Sequence, residues 1–167
     1  MIKSPDELEL MGWTIKVCEA GMWRMRENSL PGKTENEIWA ELHYENIRNG
    51  GEWIETRLLV IGERTYPWFK ECSAHSGKEG DMLSFDTDLI GPYGYCADLS
   101  RSWTVGLVKP KPTQKELYAY ALEQIMRRCV GTPCAMSATP TFSAWRNASM
   151  ASLEGESKCT IRQPSGD

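Results

Sequence analysis

The amino-acid sequence predicts an α+β fold with two N-terminal helices, an antiparallel sheet that contains a hairpin, a further helix and an irregular tail. Three observations support this prediction. Two capping signatures precede helical patterns near the N-terminus, two alternating strand patterns flank a turn near residue 92, and regular patterning stops near residue 127. The chain is therefore predicted to divide into a domain over residues 1–126 and an irregular segment over residues 127–167.

Capping signatures define the two N-terminal helices. Residues Ser4–Glu7 combine a capping serine, a proline at the first helical position and a glutamate three residues after the cap. Thr34 and Glu37 repeat this pattern for a second helix, which reaches about Asn49 and is stopped by Gly50-Gly51. The first helix carries an apolar stripe that is predicted to face a core, formed by Leu8, Met11, Ile15, Cys18, Met22 and Met25.

The region after the second helix is predicted to hold one strand and one long loop. Residues 53–61, WIETRLLVI, predict a single strand that passes into a covered part of a sheet. Residues 62–80 contain proline, glycines and charges without a sustained period, which predicts a loop. Long loops are often functional, and Trp68, Phe69 and His75 could line a substrate pocket. Packing of the loop's own aromatic side chains is the simpler interpretation.

Two apparent strands, residues 82–89 and 95–105, predict a tight hairpin around the turn formers of residues 91–94. Side chains alternate along the first strand, so Asp86 and Asp88 share one face. A turn centred near residue 93 places Asp98 opposite Asp88, and a turn centred one residue earlier places it nearer Asp86. Either register brings the three carboxylates within roughly 5 to 8 Å of one another.

Three carboxylates at this separation repel one another, and a protein compensates by protonating one of them or by supplying a cation. Carboxylate oxygens suit hard or borderline divalent ions. Asp86, Asp88 and Asp98 are therefore candidate metal ligands, with manganese, iron, cobalt, zinc and magnesium all compatible. The alternative interpretation is a solvated acidic face beside a turn.

Thr113–Glu116 supplies a capping box for a third helix. From Arg127 onward the sequence is rich in Ser, Thr, Ala and Cys and has neither a helical nor a strand period. No regular structure is predicted for that segment.

Bulk properties indicate a soluble globular protein. The chain has 167 residues, of which 41% are hydrophobic and 25% charged. A net charge of -4 and a pI near 5.3 argue against nucleic-acid or anionic-membrane partners. The N-terminus lacks the apolar core of a secretory signal, which predicts a cytoplasmic location, and the six cysteines form no CxxC pair and are predicted to be free thiols.

The sequence resembles the pita-bread metalloenzymes, a superfamily that includes creatinase, prolidase and methionine aminopeptidase. Within it, the chain is most similar to the metallopeptidase-related dimethylsulfoniopropionate lyases. The matching text lies within residues 2–125 and includes IKSPDELELM, HYENIR, GGEWIETRLL and FDTDLIGPYGYCADLSRSWTVG. The resemblance implies the first half of a pita-bread fold, a divalent metal cofactor (iron, manganese, cobalt or zinc), a small-molecule substrate and a homodimer like those of related enzymes.

The resemblance also assigns the aspartates. Asp98 is followed by Leu99-Ser100-Arg101, which fits the second metal-binding aspartate of the superfamily. Its separations from Asp86 and Asp88 are twelve and ten residues, on either side of the common spacing. This departure fits the lyase-like branch, in which both aspartates of the DTD sequence are expected to be ligands. Asp86, Asp88 and Asp98 would then be three of the metal ligands.

The remaining ligands of the superfamily are a histidine and two glutamates from later strands. This chain contains no histidine after Asp98. The sequence therefore predicts a fragment, in which residues 127–167 come from a shifted reading frame or an unrelated splice.

Three functions follow as hypotheses. The parent enzyme is a metal-dependent lyase that converts dimethylsulfoniopropionate to dimethyl sulfide and acrylate, or it is an Xaa-Pro peptidase in which metals activate water. The third hypothesis is a catalytically inactive truncated chain that binds metal loosely or pairs with another chain. The sequence identifies no catalytic base.

Overall fold

The computed structural model describes residues 2–131, and the side chains of residues 2–126. Two compact units separate between Pro110 and Lys111. Besides three short 3-10 helices, the first unit contains two α-helices and four strands: α1 (Pro5–Glu27), α2 (Glu35–Arg48), β1 (Trp53–Ile54), β2 (Leu59–Ile61), β3 (Met82–Ile90) and β4 (Cys96–Thr104). The second unit begins with α3 (Pro112–Gly131). The predicted α+β class is confirmed.

Both predicted capping boxes of α1 and α2 are present. The backbone N–H of Glu7 donates to Ser4 Oγ at 3.2 Å, and the Ser4 N–H donates to the Glu7 carboxylate at 2.7 Å. At the start of α2 the matching distances are 3.2 Å and 2.8 Å between Thr34 and Glu37. Each pair satisfies two backbone donors that a helix start would otherwise leave without partners.

The apolar stripe predicted for α1 is correct only over the second half of the helix. Cys18, Met22 and Met25 are buried, whereas Leu8 and Ile15 are 56% and 40% exposed. No residue of α1 before Thr14 is buried. The periodicity gives the direction of an apolar face, but burial also requires a neighbouring layer. In this unit α1 contacts α2 and β4, and its buried residues begin at Thr14.

The sheet is antiparallel and is built around β3, which pairs with β4 along its whole length and with β1 and β2 on its other side. Side chains of β3 alternate between buried and partly exposed positions. Helices and sheet contribute to one core, whose members include Cys18, Met25, Ile38, Trp39, Leu42, Leu59, Ile61, Leu83, Phe85, Leu89 and Ala97. The face of β3 that carries Leu83, Phe85, Thr87 and Leu89 is therefore the inner face.

Hydrogen bonds connect both ends of the β3–β4 hairpin to α2 and to the segment after α1. Near one end, Asn46 Nδ2 on α2 donates to the carbonyl of Ile90 at 3.0 Å. Near the other, Trp103 Nε1 donates at 2.9 Å to the hydroxyl of Ser29, just after α1, and the Trp103 ring lies 5.2 Å from that of Phe85. The position of the hairpin is thus set by contacts outside the sheet as well as by strand pairing.

The single strand predicted over residues 53–61 is wrong, because the structure splits it into β1 and β2. Ile54 lies opposite Leu89 and Leu59 lies opposite Phe85. Four residues (55–58) on the outer strand therefore face three residues (86–88) of β3. One extra residue on one strand is the definition of a β-bulge, which kinks the strand locally.

The third helix begins earlier and extends further than predicted. It starts at Pro112, and the N–H of Lys111 donates to Gln114 Oε1 at 2.7 Å, so the predicted Thr113–Glu116 box is not the cap. The helix continues to Gly131, which places residues 127–131 of the predicted irregular segment in a helix. Residues 132–167 lie outside the described part of the chain, so the boundary at residue 126 and the origin of the tail stay predictions.

The described helices include none that is both long enough and apolar enough to cross a membrane. The described cysteines, Cys18, Cys72 and Cys96, are all free thiols, as the sequence predicts. Burial raises the pKa of Cys18 to about 12, with a smaller contribution from the charge of Glu19. This thiol is therefore uncharged and serves as a small apolar core residue.

Candidate metal centre

The register of the hairpin decides between the two arrangements that the sequence allows. Asp88 lies directly opposite Asp98, and Asp86 lies opposite Ser100. The turn is closed by a 2.9 Å hydrogen bond from the N–H of Gly91 to the carbonyl of Tyr95. Tyr93 stands in the left-handed region within this turn, with φ 62°. The turn centred near residue 93 is thus the one that forms.

The three aspartates lie on the outer face of the sheet, away from the core. Their neighbours on the strand, Phe85, Thr87 and Leu89, are buried, whereas Asp86 and Asp88 are partly exposed and Asp98 is exposed. The predicted alternation of β3 is confirmed. The carboxylates can therefore contact a ligand without any rearrangement of the core.

The electrostatics of this face show repulsion between like charges. The pKa of Asp98 is raised, first by partial burial of the carboxyl, then by the negative charges of Asp86 and Asp88 and by a hydrogen bond with Asp86. All of these influences favour the neutral form of Asp98. A cation placed among the three carboxylates would instead lower the pKa of Asp98 and favour its ionised form.

Hydroxyl groups from two directions contact the carboxylates of β3. Ser100 Oγ donates to Asp86 Oδ1 at 2.6 Å across the hairpin. Thr56 Oγ1, in the bulge between β1 and β2, donates to Asp88 Oδ2 at 3.3 Å. Further along the same face, the hydroxyls of Ser84 and Ser102 pair with each other at 2.9 Å. The outer face is thus a continuous stripe of carboxylates and hydroxyls.

Glu35 is a buried acidic residue whose role the sequence patterns do not predict. Its side chain is completely buried in the first turn of α2. Glu35 Oε1 accepts from the N–H of Ile61 at 2.9 Å and from Arg64 Nε at 3.0 Å, and Oε2 accepts from the N–H and the hydroxyl of Ser73 at 2.9 and 2.8 Å. Its partners lie 26 to 38 residues away in sequence. No local pattern could have identified them.

The other residues considered from the sequence are not part of the aspartate face, the outer surface of the sheet that carries Asp86, Asp88 and Asp98. His43 is partly buried with its ring 6.3 Å from that of Trp39, and burial lowers its pKa, as expected of a packed histidine. His75 is exposed, and its carbonyl accepts from the N–H of Glu35 at 2.9 Å. In the long loop, the ring centroids of Trp68 and Phe69 lie 6.4 Å apart. This contact agrees with the interpretation that the loop packs its own aromatic side chains.

Residues 9–131 match the model of metallopeptidase family M24. The chain belongs to this family. Among curated relatives, dimethylsulfoniopropionate lyase DddP of Roseovarius nubinhibens is 48% identical over 130 residues, and that of Roseobacter denitrificans is 45% identical over 129 residues. Each match covers about three quarters of this chain, 75% and 74%, but only 29% of the relative. A putative dipeptidase of Bacillus subtilis, YkvY, is 26% identical over 124 residues.

Solved structures of other M24 proteins share the fold. Prolidase from Pyrococcus furiosus matches with a TM-score of 0.66 and 25% identity, over 73% of this chain and 36% of the prolidase. X-Pro aminopeptidase from Thermotoga maritima matches with a TM-score of 0.62 and 25% identity, over 74% of this chain and 34% of that protein. The helices and the antiparallel sheet form the first half of the pita-bread fold, as the resemblance implies.

M24 enzymes are generally metal-dependent, so the fit of the aspartates to a divalent ion matters. Their donor chemistry fits, because ionised carboxylates only accept and their mutual repulsion favours a cation. Among the described side chains, those of residues 2–126, no group of three or more His, Cys, Asp or Glu could hold a metal ion as placed. The assignment of Asp86, Asp88 and Asp98 as metal ligands therefore stays a prediction.

Proposed function

We propose that this chain represents the first half of the catalytic domain of a metal-dependent dimethylsulfoniopropionate lyase. The identities of 48% and 45% to two such lyases, against 26% to the putative dipeptidase, support the lyase over other M24 activities. The DTD sequence and its spacing to Asp98 point in the same direction.

The observation that carries the proposal is the pairing of Asp88 with Asp98 next to Asp86 on the outer face of the sheet. In the proposal all three are metal ligands, held by a hairpin whose inner face is part of the core. Iron, manganese, cobalt and zinc all suit carboxylate ligands. A bound ion would supply a positive charge that holds and polarises the substrate carboxylate.

The proposed reaction is a β-elimination. A base removes a proton from the carbon next to the substrate carboxylate, the electron pair forms the carbon–carbon double bond of acrylate, and the carbon–sulfur bond breaks to release dimethyl sulfide. We assign no described residue as the base. In the proposal, the described aspartates would hold the ion.

An Xaa-Pro peptidase is the second candidate. It is favoured by the fold matches to prolidase and X-Pro aminopeptidase at TM-scores of 0.66 and 0.62. In that case the same carboxylates would help to activate water for attack on an amide bond. Because one fold hosts several chemistries, the fold matches alone do not favour the peptidase over the lyase.

For the chain alone we propose weak binding of a divalent ion without turnover, because three carboxylates without a histidine form an incomplete ligand set. A small-molecule substrate, a homodimeric assembly and a cytoplasmic location complete the proposal for the parent enzyme.

Activity measurements on this chain and on a full-length relative separate these functions. Headspace gas chromatography would detect dimethyl sulfide, and release of free proline would report hydrolysis of an Xaa-Pro dipeptide. We expect the relative to release dimethyl sulfide and to leave the dipeptide intact, and the chain alone to do neither. Dipeptide hydrolysis by the relative would favour the peptidase, and turnover by the chain alone would contradict the incomplete site.

A further inference from the structure

The bulge between β1 and β2 places a hydroxyl group at the aspartate face. The N–H of Glu55 donates to the carbonyl of Asp88 at 3.2 Å, which continues the pairing of β1. The N–H of Asp86 then donates to the carbonyl of Leu58 at 2.9 Å, where the pairing resumes with a shift of one residue. Thr56 lies inside this interval, and its hydroxyl contacts Asp88. Bulges re-aim side chains in this way beside active sites.

Asp86 receives its hydroxyl from the opposite side. Ser100 lies directly across the hairpin on β4, and its hydroxyl donates to Asp86 at 2.6 Å. Each carboxylate of the DTD sequence thus has one oxygen engaged by a hydroxyl donor. Ser100 lies on β4 and Thr56 in the bulge between β1 and β2, on opposite sides of β3, so the two contacts are structurally independent.

We propose that Ser100 and Thr56 are positioning residues that orient Asp86 and Asp88 for the metal ion. The inference rests on the proposed metal-binding function and adds residues that are not themselves ligands. A hydrogen bond to one oxygen restricts rotation of the carboxylate and leaves its other oxygen directed away from the donor. Less conformational freedom is then lost when the ion binds.

The stripe itself provides a matched control. Ser102 lies on the same strand and the same face as Ser100, but its hydroxyl pairs with that of Ser84 rather than with a carboxylate. Ser102→Ala removes an equivalent group from an equivalent position. A general effect of losing a surface hydroxyl from β4 would therefore appear in both variants.

The test measures Mn²⁺ binding to the full chain by electron paramagnetic resonance of the free ion. Ser100→Ala should weaken binding about tenfold, as is typical when a partner of a ligand is removed. Thr56→Val should weaken it less, because its bond to Asp88 is longer. Ser102→Ala should bind as the unsubstituted chain does, and Asp86→Asn serves as the variant that lacks a ligand.

A second measurement is independent of metal. Three-bond couplings in NMR spectra report whether the Asp86 side chain holds one rotamer. We expect a single rotamer in the unsubstituted chain and in Ser102→Ala, and averaging between rotamers in Ser100→Ala.

The outcomes distinguish failure of the positioning role from failure of metal binding. If Ser100→Ala keeps both its Mn²⁺ affinity and its fixed Asp86 rotamer, the positioning role is overturned while the metal site stands. If the unsubstituted chain and Asp86→Asn bind Mn²⁺ equally poorly, the metal-binding function fails. The positioning proposal then fails with it, and rotamer averaging in Ser100→Ala would show only a structural role of the Ser100 hydroxyl.

Discussion

Glu35 at the start of α2 and the three aspartates of the hairpin are carboxylates in two very different environments. Glu35 is completely buried and accepts from a guanidinium, two backbone N–H groups and a hydroxyl. The aspartates are partly or fully exposed, and the pKa of Asp98 is raised by partial burial and then by the negative charges of Asp86 and Asp88. Both carboxylate oxygens of Glu35 thus accept hydrogen bonds, whereas the carboxylates of the three aspartates repel one another.

This difference distinguishes Glu35, which has a structural role, from the aspartates, whose oxygens can accept a cation. A buried carboxylate persists only when its acceptors are satisfied, and Glu35 uses that requirement to join α2, the end of β2 and the long loop. Carboxylates that repel one another at a surface destabilise the fold slightly and retain acceptor capacity for a cation. The comparison leads to the following predictions, from the largest expected effect to the smallest.

Glu35→Ala should cause the largest loss of stability. It leaves Arg64 and the buried N–H of Ile61 without their carboxylate, and breaking a buried pair in this way costs about 3 to 5 kcal/mol. Urea unfolding followed by tryptophan fluorescence measures the change. Asn36→Ala, at an exposed position in the same helical turn, is the control. A loss below about 1 kcal/mol would show that Glu35 is not the main link between these segments.

Asp98→Asn should act in the opposite sense on stability and strongly on metal binding. Removing one of three like charges relieves repulsion, so the free energy of unfolding should not fall. Loss of a ligand should weaken Mn²⁺ binding by at least about tenfold. Urea unfolding and Mn²⁺ titration on the same samples test both parts. A variant that binds Mn²⁺ normally would remove Asp98 from the ligand set.

Glu37 provides a third environment, exposed but hydrogen-bonded. Its pKa is lowered from 4.5 to about 2, chiefly by the backbone N–H of Thr34 and then by the side chain of Lys33. A lowered pKa contributes stability that is fully present above pH 4.5 and is lost as the pH falls toward 2. Glu37→Gln should therefore be less stable than the unsubstituted chain at pH 6, with the difference vanishing near pH 2.

Urea unfolding at a series of pH values between 6 and about 2 measures this convergence. Glu9→Gln, on the exposed part of α1, is a control for the loss of one negative charge. A difference between Glu37→Gln and the unsubstituted chain that stays constant with pH would contradict the role of the Glu37 charge.

The aspartate face could be predicted from the sequence, whereas Glu35 could not. The alternation of β3 is local, so the residues around Asp86 and Asp88 reveal which face they share. The register to Asp98 needed only a choice between two turns. The partners of Glu35, by contrast, reach it through folding of distant segments, and an acidic residue in a first helical turn is common enough to pass as a simple helix start.

The bulge and the exposed half of α1 were also beyond local patterns. Residues 53–61 carry the composition of a continuous strand, and only pairing with β3 reveals the extra residue. Leu8 and Ile15 have the spacing of core residues, but periodicity does not say which layers lie next to them. Each error arose where the outcome depends on a partner rather than on the segment itself.

The bulge opposite Asp86–Asp88 has a consequence for the aspartate face. It differs from a regular strand by one residue, and the pairing on either side, through Ile54 and through Leu59, is regular. The hydroxyl of Thr56 therefore reaches Asp88 from a segment that is one residue longer than the part of β3 that it faces. Because Ile54 and Leu59, on either side, are buried and paired with β3, the difference in length is confined to residues 55–58.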